Sequence, residues 1–208
     1  MLAYLFWHRP AAATQTAAYE DRLLAFHRSL ARSRPVGMCA SAAFRVAELP
    51  WLSAAASADG APQQPAYEDW YLLEDYAALG VLGEAAVGRG HRSSHDRLAA
   101  HSGDGAGGLY ALIEGEYSEL LSGAATLSAA TLAIWVKRAH GSRDVGLGEM
   151  LGDGMDPQHA SLWRRRFVLG PAPEYCLLAT SPSAGVAPAR LPEGWTAQTF
   201  TREALLGG

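Results

Sequence analysis

The chain has 208 residues, of which 49% are hydrophobic and 18% charged, with a formal net charge of −4. That composition supplies a real core and excludes a largely disordered chain. It also leaves no basic footprint for nucleic acid, and the one compact basic run, Arg164-Arg165-Arg166, would alternate faces in a strand rather than form a patch.

Leu2 to Arg9, LAYLFWHR, reads as the first strand. It is continuously apolar and aromatic rather than alternating, which predicts cover on both faces, and Pro10 stops it. From Thr16 to Ala31 the period becomes helical, with Tyr19, Leu23, Phe26 and Leu30 on one stripe and Thr16 as the expected N-cap. Met38 to Leu49 gives a second strand, Ser53 to Pro65 a loop rich in small residues, and Glu68 to Glu74 a third strand. Tyr76 to Val87 is expected to be a helix and Asp96 to His101 a helical turn. Gly103 to Gly108 then reads as a flexible loop before a fourth strand, Leu109 to Tyr117. Beyond it, strands are expected over Thr131–Arg138, Leu162–Leu169, Glu174–Thr180 and Trp195–Phe200. A poor helix is expected over Val145–Leu151, a segment unsuited to a full helix over Ser181–Pro192, and a terminal turn over Arg202–Leu206.

The first half thus runs β-α-β-β-α-β, the split βαβ or ferredoxin-like order. The second half echoes it: Leu132 to Arg138 repeats the character of Leu2 to Arg9, Glu174 to Leu178 that of Glu68 to Leu73, and Arg166-Phe167-Val168 that of Phe44-Arg45-Val46. This order resembles the dimeric α+β barrel superfamily. The resemblance implies an α+β fold of two tandem ferredoxin-like halves, residues 1–120 and a degenerate 121–208, forming a pseudo-dimeric barrel. It also implies a pocket where the helix-free sides of two sheets face each other. Members of that superfamily include cofactor-free monooxygenases, isomerases, haem-handling enzymes and ligand-sensing modules, so no reaction follows from the fold.

Candidate residues come from the strands. Trp7, Arg9, Arg45 and Trp70 are expected to bind a small aromatic or anionic ligand, because a guanidinium among aromatic rings suits a carboxylate or phenolate. His8 and Tyr71 are the candidate catalytic groups, His8 because imidazole titrates near neutrality. Three functions are open: a small-molecule binding pocket, which is preferred; a cofactor-independent monooxygenase or isomerase; and a structural or oligomerising protein with a filled core. His91, His95, Asp96 and His101 are the densest group of metal-ligand types, but no HExxH stands there and they read as a solvated loop. The Gly103–Gly108 run lacks the GxxxxGK[ST] pattern. No GxSxG is present, and neither cofactor nor metal is expected. No apolar stretch reaches the roughly 18 residues of a membrane span. With Cys39 and Cys176 far apart, a cytoplasmic protein is expected, with a homo-oligomer left open.

Overall fold

The computed structural model describes residues 1–47, 49–52, 65–88, 90–115, 124–144, 146, 160–168, 172–179 and 191–207. The strands are β1 (Leu2–Pro10), β2 (Met38–Val46), β3 (Ala66–Leu73), β4 (Ser102–Gly115), β5 (Leu132–Lys137), β6 (Ala160–Val168), β7 (Tyr175–Ala179) and β8 (Thr196–Gly207). They close into one barrel in the ring order β1-β3-β2-β8-β5-β7-β6-β4, and every neighbouring pair is antiparallel. The helices among the described residues are α1 (Thr16–Arg32), α2 (Tyr76–Val87), α3 (Arg92–Ala99) and the short α4 (Ala124–Ala129).

This corrects the expected class. The molecule is a closed eight-stranded antiparallel barrel with few helices, not an α+β pseudo-dimer of two ferredoxin-like sheets. The ladders β2–β8 and β4–β6 join the strands of residues 1–120 to those of 121–208 in a single ring, so no pair of separate sheets faces across a gap. Around the ring, β4-β1-β3-β2 and β8-β5-β7-β6 follow the same order of chain segments. Closure is also what covers the continuously apolar strands on both faces. One face turns into the barrel, and on β1, β2 and β3 the other lies under α1, α2 and α3.

An eight-stranded barrel has an interior just wide enough for side chains to fill. Here Ala3, Leu5 and Trp7 of β1 point inward with Trp70 of β3, Tyr110 of β4, Trp135 of β5 and Trp163 of β6, and all are buried. Trp7 and Trp135 meet edge to face, ring centroids 5.5 Å apart, and Trp70 meets Trp163 at 5.5 Å. Two charges sit among these rings. Arg202 Nη1 donates to Glu68 Oε1 at 2.6 Å, and both side chains have zero exposure. Glu68 also accepts from Trp70 Nε1 at 2.7 Å and from Trp7 Nε1 at 2.9 Å. Arg202 donates from Nε (2.9 Å) and Nη2 to the carbonyl of Ala130, and its guanidinium lies 3.9 Å from the Phe44 ring centroid. The Arg202–Leu206 stretch, expected as a terminal turn, is therefore part of β8 and delivers a cation to the barrel's core. Cys176 is a free thiol in the same interior, and burial followed by the Glu68 charge pushes its thiol well up.

The glycine run read as a flexible loop is instead the first half of β4. The reason is close approach: a Cβ on Gly105 would lie 2.7 Å from Phe6 Cζ, and one on Gly107 would lie 2.8 Å from the Tyr4 hydroxyl. The bare backbone lets the β1 aromatics lie across their neighbour strand. Gly105→Ala is expected to displace the Phe6 ring and destabilise the fold by about 1–3 kcal/mol, read by chemical denaturation.

Helix α1 carries the expected stripe, with Tyr19, Leu23, Phe26 and Leu30 buried, and His27 beside them. Its N-cap is Gln15 and makes no side-chain cap bond, so the cap expected at Thr16 is not formed. Helix α2 is capped by Asp75, whose Oδ1 accepts from Ala78 N at 2.9 Å. Asp75→Ala should therefore cost about 1 kcal/mol, measured as a shift in denaturation midpoint. The expected Ser53–Pro65 loop, Val145–Leu151 helix and Ser181–Pro192 segment fall almost wholly outside the described residues. Among the described residues, no helix is long and apolar enough to cross a membrane.

Candidate functional site

The face of β1 and β3 opposite the barrel interior lies under α1, α2 and α3. Strand alternation puts His8 of β1 and Tyr67, Asp69 and Tyr71 of β3 there, while their neighbours Trp7, Glu68 and Trp70 turn inward. Asp69 is 1% exposed and forms the centre of a polar cluster. His8 Nε2 is 3.1 Å from its Oδ2, and Tyr71 donates its hydroxyl to the same oxygen at 3.2 Å. His27 Nε2 lies 3.4 Å from Oδ1, an ion-pair distance without hydrogen-bond geometry, which leaves Oδ1 buried and without a hydrogen-bond partner. The His27 ring stacks flat on Tyr71, centroids 5.2 Å apart, and its Nδ1 is 3.0 Å from Ser41 Oγ.

A chain of hydroxyls extends the cluster. His8 Nδ1 is 2.6 Å from the Tyr19 hydroxyl, which is 2.9 Å from Ser102 Oγ, which is 3.2 Å from the carbonyl of Leu98. With a neutral His8, Ser102 donates to Tyr19, Tyr19 to Nδ1, and Nε2–H to Asp69. A proton on His8 reverses the run: both ring nitrogens donate, Tyr19 turns to Ser102, and Ser102 donates to Leu98 O. Each pattern satisfies every group along it.

Burial disfavours charge on Asp69, but the attraction of His8 and then His27, with the His8 hydrogen bond, outweighs it and holds the carboxyl well below the usual range. The tyrosines move the other way. Burial first, then the Asp69 charge, raises Tyr71 and Tyr4, so both remain protonated donors near neutral pH.

Beside this cluster is a cavity of about 510 Å³. Its walls are apolar side chains of α1 (Phe26), α2 (Leu79, Leu82, Ala86, Val87), α3 (Leu98, Ala99) and β1 (Phe6), and its polar groups come from Tyr4, Asp69, Tyr71, His95 and Ser102. Among the described residues, no arginine or lysine lines it.

The sequence candidates divide accordingly. His8 and Tyr71 both bond to Asp69, and Tyr71 reaches the cavity wall. Trp7 and Trp70 are in the barrel interior, held by Glu68. Arg45 is on the outer face and is clamped by Glu20, from Nε at 2.8 Å and Nη2 at 2.9 Å, and by Glu203 at 2.6 Å. Arg9 is half-buried at the end of β1, and its Nε has no hydrogen-bond partner. The histidines of the 91–101 segment do not converge. The His91 ring bridges Ser29 Oγ and the Ser33 carbonyl, and His95 pairs with Asp96 at 3.1 Å. Among the described residues no three metal-ligand side chains gather.

Asp69, His27, Tyr19, Tyr4 and Ser102 were missed. A signal existed for two of them. Asp69 is an acid in a strand otherwise read as covered on both faces, which requires a buried partner. His27 lies four residues past Leu23, on the helix stripe already assigned to the core. No family model matches this chain, and neither a curated protein nor a solved structure matches it.

Proposed function

We propose that the chain binds a small, largely apolar, ring-bearing molecule in the cavity beneath α1, α2 and α3. The observation that carries this reading is the cavity itself: about 510 Å³, walled mostly by apolar and aromatic side chains, with a few polar groups converging at one wall. That is the size and lining of an ordinary small-molecule site. The expected place for a ligand, inside the ring, is filled at its described positions by tryptophans. That filling suits a structural barrel, but it leaves the outer cavity unaccounted for. The anionic alternative loses support because both candidate arginines are outside the lining and Arg45 is already paired.

The enzymatic alternative, an isomerase or cofactor-free monooxygenase, draws on His8 and Tyr71 at Asp69. Against it, His8 has both ring nitrogens engaged and does not line the cavity, and a carboxylate held so far below its usual range is a poor proton acceptor. We take the setting to be the cytoplasm, where Cys39 and Cys176 stay as thiols.

The test is calorimetric titration of the whole chain with 2-(1-naphthyl)ethanol, a neutral bicyclic probe. Binding to wild type is expected. Ala86→Phe, which pushes a ring from α2 into the cavity, should weaken it by about tenfold or more with the fold retained. No binding of this probe or of its amine and carboxylate analogues, or binding untouched by Ala86→Phe, overturns the proposal.

A further inference from the structure

The polar wall of the cavity sets one carboxylate behind aromatic rings. Asp69 is sealed from solvent, with His8 Nε2 3.1 Å from Oδ2 and His27 Nε2 3.4 Å from Oδ1, and Oδ1 lacks a hydrogen-bond partner. Among the described residues, the other ionisable side chains in the lining are His95, Tyr4 and Tyr71, with no arginine or lysine. Four aromatic rings, Tyr4, Phe6, Phe26 and Tyr71, share the same walls, with Tyr4 and Tyr71 stacked at 6.0 Å. Tyr71 donates its hydroxyl to Asp69, which leaves its ring more electron-rich.

Each feature favours a cation. An ammonium group is attracted to aromatic faces, more strongly where water is excluded. A carboxylate behind those faces adds a Coulomb attraction that the low-dielectric surroundings do not screen as water would. The same arrangement repels a carboxylate ligand and gives a neutral one no more than a hydrogen bond. The tyrosines cannot supply a competing anion near neutral pH, because they stay protonated.

We infer that the ligand is an arylalkylamine-like cation: an aromatic or polycyclic body in the apolar part of the cavity, with its ammonium at the Tyr4–Tyr71–Asp69 wall. This rests on the binding role proposed above and adds the ligand's chemical class.

Three isosteres separate the two statements: 2-(1-naphthyl)ethylamine, 2-(1-naphthyl)ethanol and 1-naphthylacetate, titrated calorimetrically into the full chain near neutral pH. The amine should bind about tenfold or more tighter than the alcohol, and the acetate weakest. Asp69→Asn should bring amine and alcohol to within about threefold of each other. Should that variant not fold, the wild-type series still decides. Alcohol binding as tight as amine, or acetate tightest, overturns the cation while leaving the binding site standing. If none of the three binds, the binding role itself fails. Ala86→Phe must weaken the amine as well. An amine that binds Ala86→Phe unchanged is seated elsewhere, and the inference falls.

Discussion

Arg202→Leu is expected to lower the unfolding free energy by about 3–5 kcal/mol, the largest single effect in the molecule. The substitution removes the cation and leaves Glu68 at zero exposure, facing only two indole N–H groups. It also strips the Ala130 carbonyl of its guanidinium donors. A chain of this size loses about 2–4 °C in melting temperature per kcal/mol, so the shift is easily read by calorimetry or denaturant titration. Glu68→Leu alone should be similarly damaging, because a buried guanidinium then lacks its anion. The double variant Glu68→Leu/Arg202→Leu should cost clearly less than the sum, since no uncompensated charge remains. It should not reach wild type, because the indoles of Trp7 and Trp70 lose their acceptor. Additive losses would mean that the two side chains act independently and that the ion pair is incidental to barrel closure.

The second large effect lies on the other face of the same strand. Asp69→Asn keeps the shape but replaces an acceptor-only carboxylate with an amide. Its NH2 group then stands where an acceptor oxygen met His8, His27 and Tyr71, so a histidine must change tautomer or protonation to accept from it. A loss of about 3–5 kcal/mol near neutral pH is expected, of the kind seen when one partner of a buried pair is removed.

The pH dependence gives a separate signature. Asp69 is held below its unfolded value, so its contribution is complete above the ordinary aspartate range, about 3.9. It is lost progressively as pH falls from there toward the depressed folded value. The stability gap between wild type and Asp69→Asn should therefore narrow on acidification through that window. A gap that stays constant down to strongly acidic pH would show that the Asp69 charge contributes nothing.

Much of the local structure was legible in the sequence. The apolar run at Leu2–Arg9, the helical stripe Tyr19–Leu23–Phe26–Leu30 and the aromatic strand around Trp70 all correspond to observed elements. Local periodicity fails where a distant neighbour sets the requirement. Gly103–Gly108 looks like a loop by composition, yet it is strand because Tyr4 and Phe6 need a partner without side chains. Arg202 looks like part of a polar tail, yet it is core because Glu68, 134 residues earlier, faces it across the barrel.

The candidate site shows the same division. His8 and Tyr71 could be singled out as residues of useful chemistry, but nothing local tells which face of a doubly covered strand meets a helix. Local pattern alone shows how many apolar strands there are, where the first two main helices run, and that acids and histidines are embedded among them. That the strands join edge to edge into one ring depends on contacts between distant parts of the chain. Hydrogen bonding between β2 and β8 and between β4 and β6 is a long-range pairing with no local signature. Once the ring closes at eight strands, tryptophans take up its described interior positions, and the cavity beside Asp69 lies outside the ring, under the helices.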